Sequence, residues 1–332
     1  MTMCARCVLT EAPPDIELDE QGVCNVCRAA EAVPHTTLRG EFHETDLTRL
    51  LKKVRRKGPY DCLVMCSGGK DSTAVLYYAV NRYHLRPLVF TFDHGFGNPS
   101  GFENVKRAVN RLGVDWTFHH SEYMHDFFAY LVRTGAPVPV CPPCSLWYMQ
   151  IAYDVAAHHR IPLILGGWTR GQVSGEGVVG EPEYVSLTRA TESFIKEVRR
   201  AIPKYRTFPM KMAEVQRRYR KIRTLSPLWF LPDEPESYRR LIMKELGWKP
   251  AAVSYPAGST NCTLNFVGAY LSMKHYGYTH YHIEMSHLIR RGEMTRKEAL
   301  DALALDLDDP AIRSALDQTL HRLGCDMSML VR

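Results

Sequence analysis

The 332-residue sequence has no uninterrupted apolar stretch near the roughly 20 residues that a bilayer-spanning helix needs, so no membrane partner is expected. Its start, Met1-Thr-Met-Cys4, carries neither the charged nor the apolar region of a secretory signal, which makes the cytoplasm the expected location. We find no low-complexity tract and no internal repeat with a period of about 20–50 residues, which argues against linker-like and solenoid architectures. The Walker phosphate-binding pattern, a longer glycine-rich loop ahead of Lys-Ser/Thr, is missing too. What is left, 45% hydrophobic and 23% charged, is the composition of a globular protein with a sizeable core.

Cysteine is not scarce. Ten occur, mostly in pairs two residues apart, and in a long chain without a secretory start that favours metal ligation or thiol chemistry in a reducing compartment over a disulfide framework. The formal charge of +6 is mild but unevenly placed: between Lys196 and Arg223 eleven Lys/Arg face two Glu, a local +9. An anionic partner such as a nucleic acid is one reading of that stripe, a solvated helix face the other.

Four regions follow from the pattern. Residues 1–40 hold Cys4-x2-Cys7 and Cys24-x2-Cys27 with too few apolar residues for a core of their own. Residues 41–59 read as a polar helical linker, Asp46 to Lys57, closed by Gly58-Pro59. In residues 60–230 short apolar runs alternate with helical patterns, which predicts an α/β fold with a parallel, helix-covered sheet. Strands are expected at Cys62–Cys66, Pro87–Phe92, Trp116–His119 and Pro162–Leu165, and helices at Ser72–Tyr83, Gly101–Leu112, Tyr123–Arg133 and Cys144–His159. Gly171 to Gly180 reads as a loop, followed by the basic helical stretch and a linker with Pro227, Pro232 and Pro235. Residues 231–332 read as helical, with a capping box at Thr295 and Glu298 before Ala299–Leu305.

Within the α/β region, Leu63-Val64-Met65-Cys66 runs straight into Ser67-Gly68-Gly69-Lys70-Asp71-Ser72 and then a helix. Two glycines let backbone N–H groups turn toward an anion, the helix presents its positive end, Lys70 adds a full charge, and Ser67 and Ser72 add hydroxyls. Asp93, closing the second strand, and Gly166-Gly167, closing a later one, stand where open α/β sheets bind ligands, although each also suits a simple turn. The hexad resembles the PP-loop of the ATP pyrophosphatase family. That resemblance implies an adenine nucleotide alpha hydrolase-like sheet, ATP cleaved to AMP and pyrophosphate, and Mg²⁺ assisted by Asp71.

The two N-terminal pairs, sixteen residues apart, have the spacing of a four-cysteine zinc ribbon; a closed tetrahedron of thiolates leaves no vacancy for substrate, so we assign Cys4, Cys7, Cys24 and Cys27 to structure. Cys141-Pro-Pro-Cys144 differs, standing before a helix whose N-terminus is expected to lower thiol pKa values. With Cys262 it makes a three-cysteine set that suits an iron–sulfur cluster, a zinc with an exchangeable ligand, a sulfur-carrying nucleophile, or a buried turn with no chemistry. Cys62, Cys66 and Cys325 read as core.

Met3 to Val8, Asp19 to Cys27, the Ser67–Ser72 loop, His275-Tyr-Gly-Tyr278 and Ile289 to Ala299 together resemble the N-acetyl sugar amidotransferases of surface-glycan biosynthesis. That resemblance implies adenylation of an acetamido oxygen of a small-molecule acceptor and displacement of AMP by ammonia, giving an acetamidino group. The ammonia would come from a separate glutaminase subunit. Catalytic weight would fall on Lys70 and Asp71, with His94, His275 and Glu284 as conceivable acid–base groups. The middle of the chain also resembles PP-loop enzymes that thiolate tRNA, in which Cys141, Cys144 and Cys262 would be catalytic and hold a [4Fe-4S] cluster fed by a sulfur donor. Here the arginines expected soon after the CPPC are absent. A small-molecule sulfurtransferase and a non-enzymatic zinc-ribbon nucleic-acid-binding protein complete the alternatives, and a homodimer is an open option.

Overall fold

A computed structural model describes residues 2–31, 43–54, 58–172, 185–232, 234–256, 259, 262–306 and 308–331. Among them five parallel strands form one sheet, β1 (Cys62–Met65), β2 (Pro87–Asp93), β3 (Asp115–His120), β4 (Leu163–Leu165) and β5 (Arg223–Leu225), in the order β3-β2-β1-β4-β5. The order reverses between β1 and β4, which pair through Leu63 with Ile164 and Val64 with Leu165.

Alternation along the strands decides what each face buries. Val64, Val89, Leu163 and Leu165 join one core with helices α2 (Glu44–Val54), α3 (Lys70–Tyr77), α4 (Pro99–Leu112) and α9 (Pro235–Leu246). Leu63, Leu88, Phe90 and Ile164 point the other way, into a core with α6 (Cys141–His158) and Val215 of α8 (Met212–Arg218). Helices therefore cover both faces, as the doubly apolar strands demand. Polar α2 is held by Leu47 and Leu51, one turn apart and fully buried, each contributing on the order of 1.5–3 kcal/mol of burial.

Several boundaries differ from the sequence reading for physical reasons. The helix expected at Ser72–Tyr83 starts at Lys70 and widens after Tyr77 into a π turn, Tyr78–Arg82. The one expected at Cys144–His159 begins at Cys141, because Pro142 and Pro143 occupy first-turn positions where a missing N–H costs nothing. The basic stretch is not one helix: α7 (Val185–Ala201) and α8 are separated by a 3-10 turn at Pro203–Tyr205, and the stretch ends as edge strand β5. In α2, residues 55–57 of the predicted helix lie outside the described residues, as do residues 173–180 of the predicted loop.

The C-terminal third is mostly helical: α10 (Leu264–Tyr276), α11 (His280–Arg290), α12 (Arg296–Leu303), α13 (Pro310–Arg322) and α14 (Met327–Val331). With α5 (His125–Thr134) and α7 these elements contribute to a third core. The capping box forms as predicted, Glu298 N donating to Thr295 Oγ1 at 3.2 Å and Thr295 N to Glu298 Oε2 at 2.8 Å.

Candidate active site and metal centre

The loop after β1 lies at the switch point, at the carboxyl edge of the sheet, where two crossovers diverge and leave a crevice. Gly68 is left-handed, φ +81°, and a Cβ there would sit 1.9 Å from the Gly101 carbonyl oxygen of α4. Its own carbonyl accepts from the Asn104 side chain (3.0 Å) and from the Trp248 indole (2.9 Å). Ser67 and Ser72 join their hydroxyls at 3.2 Å, and Ser72 Oγ also accepts from Ser67 N and donates to the Gly69 carbonyl. Lys70 Nζ reaches both Asp71 oxygens at 2.8 Å, and the Tyr238 hydroxyl of α9 donates to Asp71 Oδ1. The loop is thus fixed from three directions.

Gly167 explains why β4 ends in glycine: a Cβ would lie 2.5 Å from Ser72 N, so only a bare backbone lets this strand end approach the first turn of α3. At Gly166 the crowding comes from the Trp168 ring, 2.2 Å from the built Cβ. Asp93 organises its own turn, accepting from Gly95 N (2.9 Å) and Gly97 N (3.2 Å), while Oδ2 pairs with His120 Nδ1 at 2.8 Å.

Cys141 and Cys144 open α6, and Cys262 precedes α10, which packs against the start of α6. Thr263 N donates to the Phe96 carbonyl (3.0 Å), tying the residue after Cys262 to the loop following β2, and a Cβ on Gly268 of α10 would lie 3.3 Å from Val140, the residue before Cys141. Burial drives the Cys144 thiol well above its ordinary range and Cys262 up to about 11, whereas Cys141 is exposed at the start of α6. At Cys144 burial therefore works against the lowering expected from the helix N-terminus. Among the described residues the three sulfurs do not meet as a ligand set; the cysteines of the ribbon do.

There Cys4, Cys7, Cys24 and Cys27 are buried, with all four sulfurs within 4.8 Å of one another. Backbone N–H groups of Arg6, Leu9, Cys24 and Cys27 aim at sulfurs at 3.3–3.5 Å. Shared hydrogen bonds lower the Cys4 and Cys7 thiols and raise Cys24 and Cys27, so four thiols crowded without a cation cannot all ionise. A tetrahedral dication fits this donor set. The ribbon is not self-contained: its core includes Tyr278, Arg296 donates to the carbonyls of Cys7 (3.0 Å) and Cys4 (3.2 Å), and Val8 N donates to Ser286 Oγ of α11 at 3.2 Å.

Of the acid–base candidates, His94 is buried and its pKa falls to about 4, and burial lowers His275. Glu284 has a different setting. It accepts from Thr169 Oγ1 at 2.8 Å and Gln172 Nε2 at 3.3 Å, and burial, reinforced by the charge of Asp71, raises its carboxyl. Asn104, Tyr238 and Trp248 had no signal in the sequence, since each acts on the loop from across the chain. The basic residues are partly committed internally: Lys204 pairs with Asp126, Lys211 with Glu192 at 2.9 Å, and Arg199 donates to the Phe208 carbonyl. Arg217, Arg218 and Arg220 line an open surface hollow with Glu214 that contains no loop residue. No described helix is long and apolar enough to cross a membrane.

Comparison with known proteins gives partial likenesses. Residues 260–331 match the family model described as "LPS biosynthesis protein WbpG-like, C-terminal domain". A curated relative, the uncharacterized protein MJ1599 of Methanocaldococcus jannaschii, is 23% identical over 97% of this chain and 98% of its own. Among solved structures, the U34-tRNA thiolase NcsA of Methanococcus maripaludis with its [4Fe-4S] cluster aligns over 95% of this chain and 96% of its own, at 13% identity and TM-score 0.38. A predicted subunit of tRNA methyltransferase from Methanocaldococcus jannaschii covers 67% of this chain and 90% of its own, at 13% identity and TM-score 0.32.

Proposed function

We propose that the chain is a PP-loop ATP pyrophosphatase that adenylates an amide-type oxygen of a small N-acetyl sugar acceptor and then replaces AMP with ammonia. The observation that carries this reading is the Ser67–Ser72 loop at the switch point, pinned by Gly101, Asn104, Trp248 and Tyr238. Backbone N–H groups and the start of α3 favour an anion there, Lys70 supplies charge, and fixed dipoles stabilise the leaving pyrophosphate without reorganising during the reaction. Asp71, with Asp93 as a second candidate, would hold Mg²⁺, which neutralises phosphate charge. An amide oxygen is a poor leaving group and AMP a good one, so adenylation makes the carbon open to ammonia. The C-terminal match to an LPS biosynthesis description falls on the segment that resembles the amidotransferases, which supports a glycan-type acceptor.

In this reading residues 1–40 are a zinc ribbon, 41–59 a helical linker, 60–230 the catalytic PP-loop domain and 231–332 a helical C-terminal region. A separate glutaminase subunit supplies ammonia and the enzyme works in the cytoplasm. Sulfur transfer is the second reading, supported by the packing of α10, which follows Cys262, against Val140, the residue before Cys141. Anaerobic purification followed by metal and sulfide analysis separates the two: about one zinc and no iron is expected for ammonia chemistry, while roughly four irons lost on Cys262→Ala would establish a cluster.

A further inference from the structure

One half-buried carboxylate lies outside the phosphate-binding loop itself. Glu284 projects from α11 toward the 3-10 turn Arg170–Gln172 that follows β4, and the fit is close enough that a Cβ on Gly171 would come within 2.8 Å of Glu284 Cγ. Thr169 Oγ1 and Gln172 Nε2 each donate to one of its oxygens, so the carboxylate is held from the β4 side in one orientation. The charges that face it are those of the loop, Lys70 and Asp71 on α3. Tyr238 of α9, which donates to Asp71, and Tyr281 one turn earlier on α11 both feel the Glu284 charge. Thr169, which holds Glu284, follows two residues after Gly167, and Gly167 packs against Ser72 of the loop, so Glu284 stands on the β4 side of the phosphate-binding loop.

We propose that Glu284 is the base of the adenylation step, taking the acceptor's amide N–H proton as the amide oxygen attacks the α-phosphorus of ATP. The inference rests on the AMP-forming reading but is indifferent to whether nitrogen or sulfur arrives afterwards. The balance is simple. The carbonyl oxygen forms a bond to the α-phosphorus, the bond from that phosphorus to the bridging oxygen breaks, and its electron pair leaves with pyrophosphate. The amide nitrogen, donating its lone pair toward carbon, becomes strongly acidic; its proton passes to Glu284 and leaves a neutral O-adenylyl imidate.

Water is a weaker base than a positioned carboxylate, and a carboxylate less hydrated than usual is a better base than one in bulk water. Its two hydrogen bonds keep one oxygen lone pair aimed without saturating the group, since a carboxylate has about four acceptor positions. Protonated after the step, Glu284 can return the proton to the imidate nitrogen when the second nucleophile expels AMP. The same residue then serves both half-reactions in opposite directions.

The test uses full-length protein with MgATP, ammonium chloride and N-acetylglucosamine or its UDP ester as the acceptor probe, AMP and pyrophosphate being quantified over a range of pH. Wild type is expected to lose acceptor-dependent AMP formation as pH falls through the raised Glu284 pKa. Glu284→Gln, which keeps the shape and can still accept from Thr169, is expected to bind MgATP within threefold of wild type, to lower kcat by about 10²–10⁴-fold and to lose that acid limb. Turnover within threefold of wild type, or an unchanged acid limb, would overturn the proposal. If Glu284→Gln does not fold, Thr169→Val provides the decision: removing a donor to the carboxylate should move the acid limb to higher pH, and an unmoved limb counts against the base. ADP rather than AMP from wild type, or no AMP with either probe, would sink the underlying reading instead.

Discussion

Trp248 donates its indole N–H to the carbonyl oxygen of Gly68 across 2.9 Å, although 180 positions separate them. Asn104 donates to the same oxygen and also to the carbonyl of Lys249, so one buried side chain joins the loop, α4 and the chain after α9. Trp248→Phe keeps an aromatic ring but loses the donor. We expect a stability loss of about 1–2 kcal/mol in urea unfolding, and weaker MgATP binding by titration calorimetry, because the carbonyl retains only Asn104.

Gly68→Ala should be more severe. The position combines a left-handed φ with a Cβ contact to backbone oxygen that no rotamer can relieve. The loop must shift, so at least a tenfold loss of MgATP affinity is expected, with far-ultraviolet circular dichroism unchanged. Wild-type affinity in this variant would show that the loop does not hold the nucleotide.

Arg296 couples the ribbon to α12 by clasping two carbonyls that belong to the cysteine turns. Second-layer contacts of this kind typically hold about 10–100-fold in metal affinity. In protein loaded with zinc at the four cysteines, Arg296→Ala should therefore give up the metal to a competing chelator faster than wild type, while Lys297→Ala, its neighbour, should not.

Three buried histidines, His94, His282 and His287, and the half-buried His280 each have a pKa lowered to about 4, chiefly by burial. An unfolded chain takes up those protons near pH 6.5 whereas the folded one does not, so the unfolded state binds more protons in between. Stability contributed by neutral burial is present above pH 6.5 and is lost as pH falls toward 4. The urea midpoint should drop steadily across that window, and replacing His282 with Gln should flatten the slope.

The loop was legible because its chemistry is local: strand, glycines, lysine and helix follow one another in six residues, and the structure puts them at the switch point. The ribbon was legible for the same reason, spacing alone sufficing to converge four sulfurs. Strand β5 was not, since Arg223-Thr-Leu is a short edge element at the end of a basic run and its only signal is pairing with β4. Trp248, Asn104 and Tyr238 were invisible because long-range contacts leave no periodicity. The helix expected from Cys144 starts three residues earlier, at Cys141, and the burial that raises the Cys144 thiol is reported by no local pattern.

The central claim is that the loop directs cleavage between the α and β phosphates of ATP. Phosphorus NMR of wild-type protein with MgATP, ammonium and N-acetyl sugar acceptors follows this directly, with Lys70→Ala as the control. We expect AMP and pyrophosphate in equal amounts, lost in a Lys70→Ala protein that keeps its fold. ADP and inorganic phosphate, or undiminished turnover without Lys70, would contradict the account.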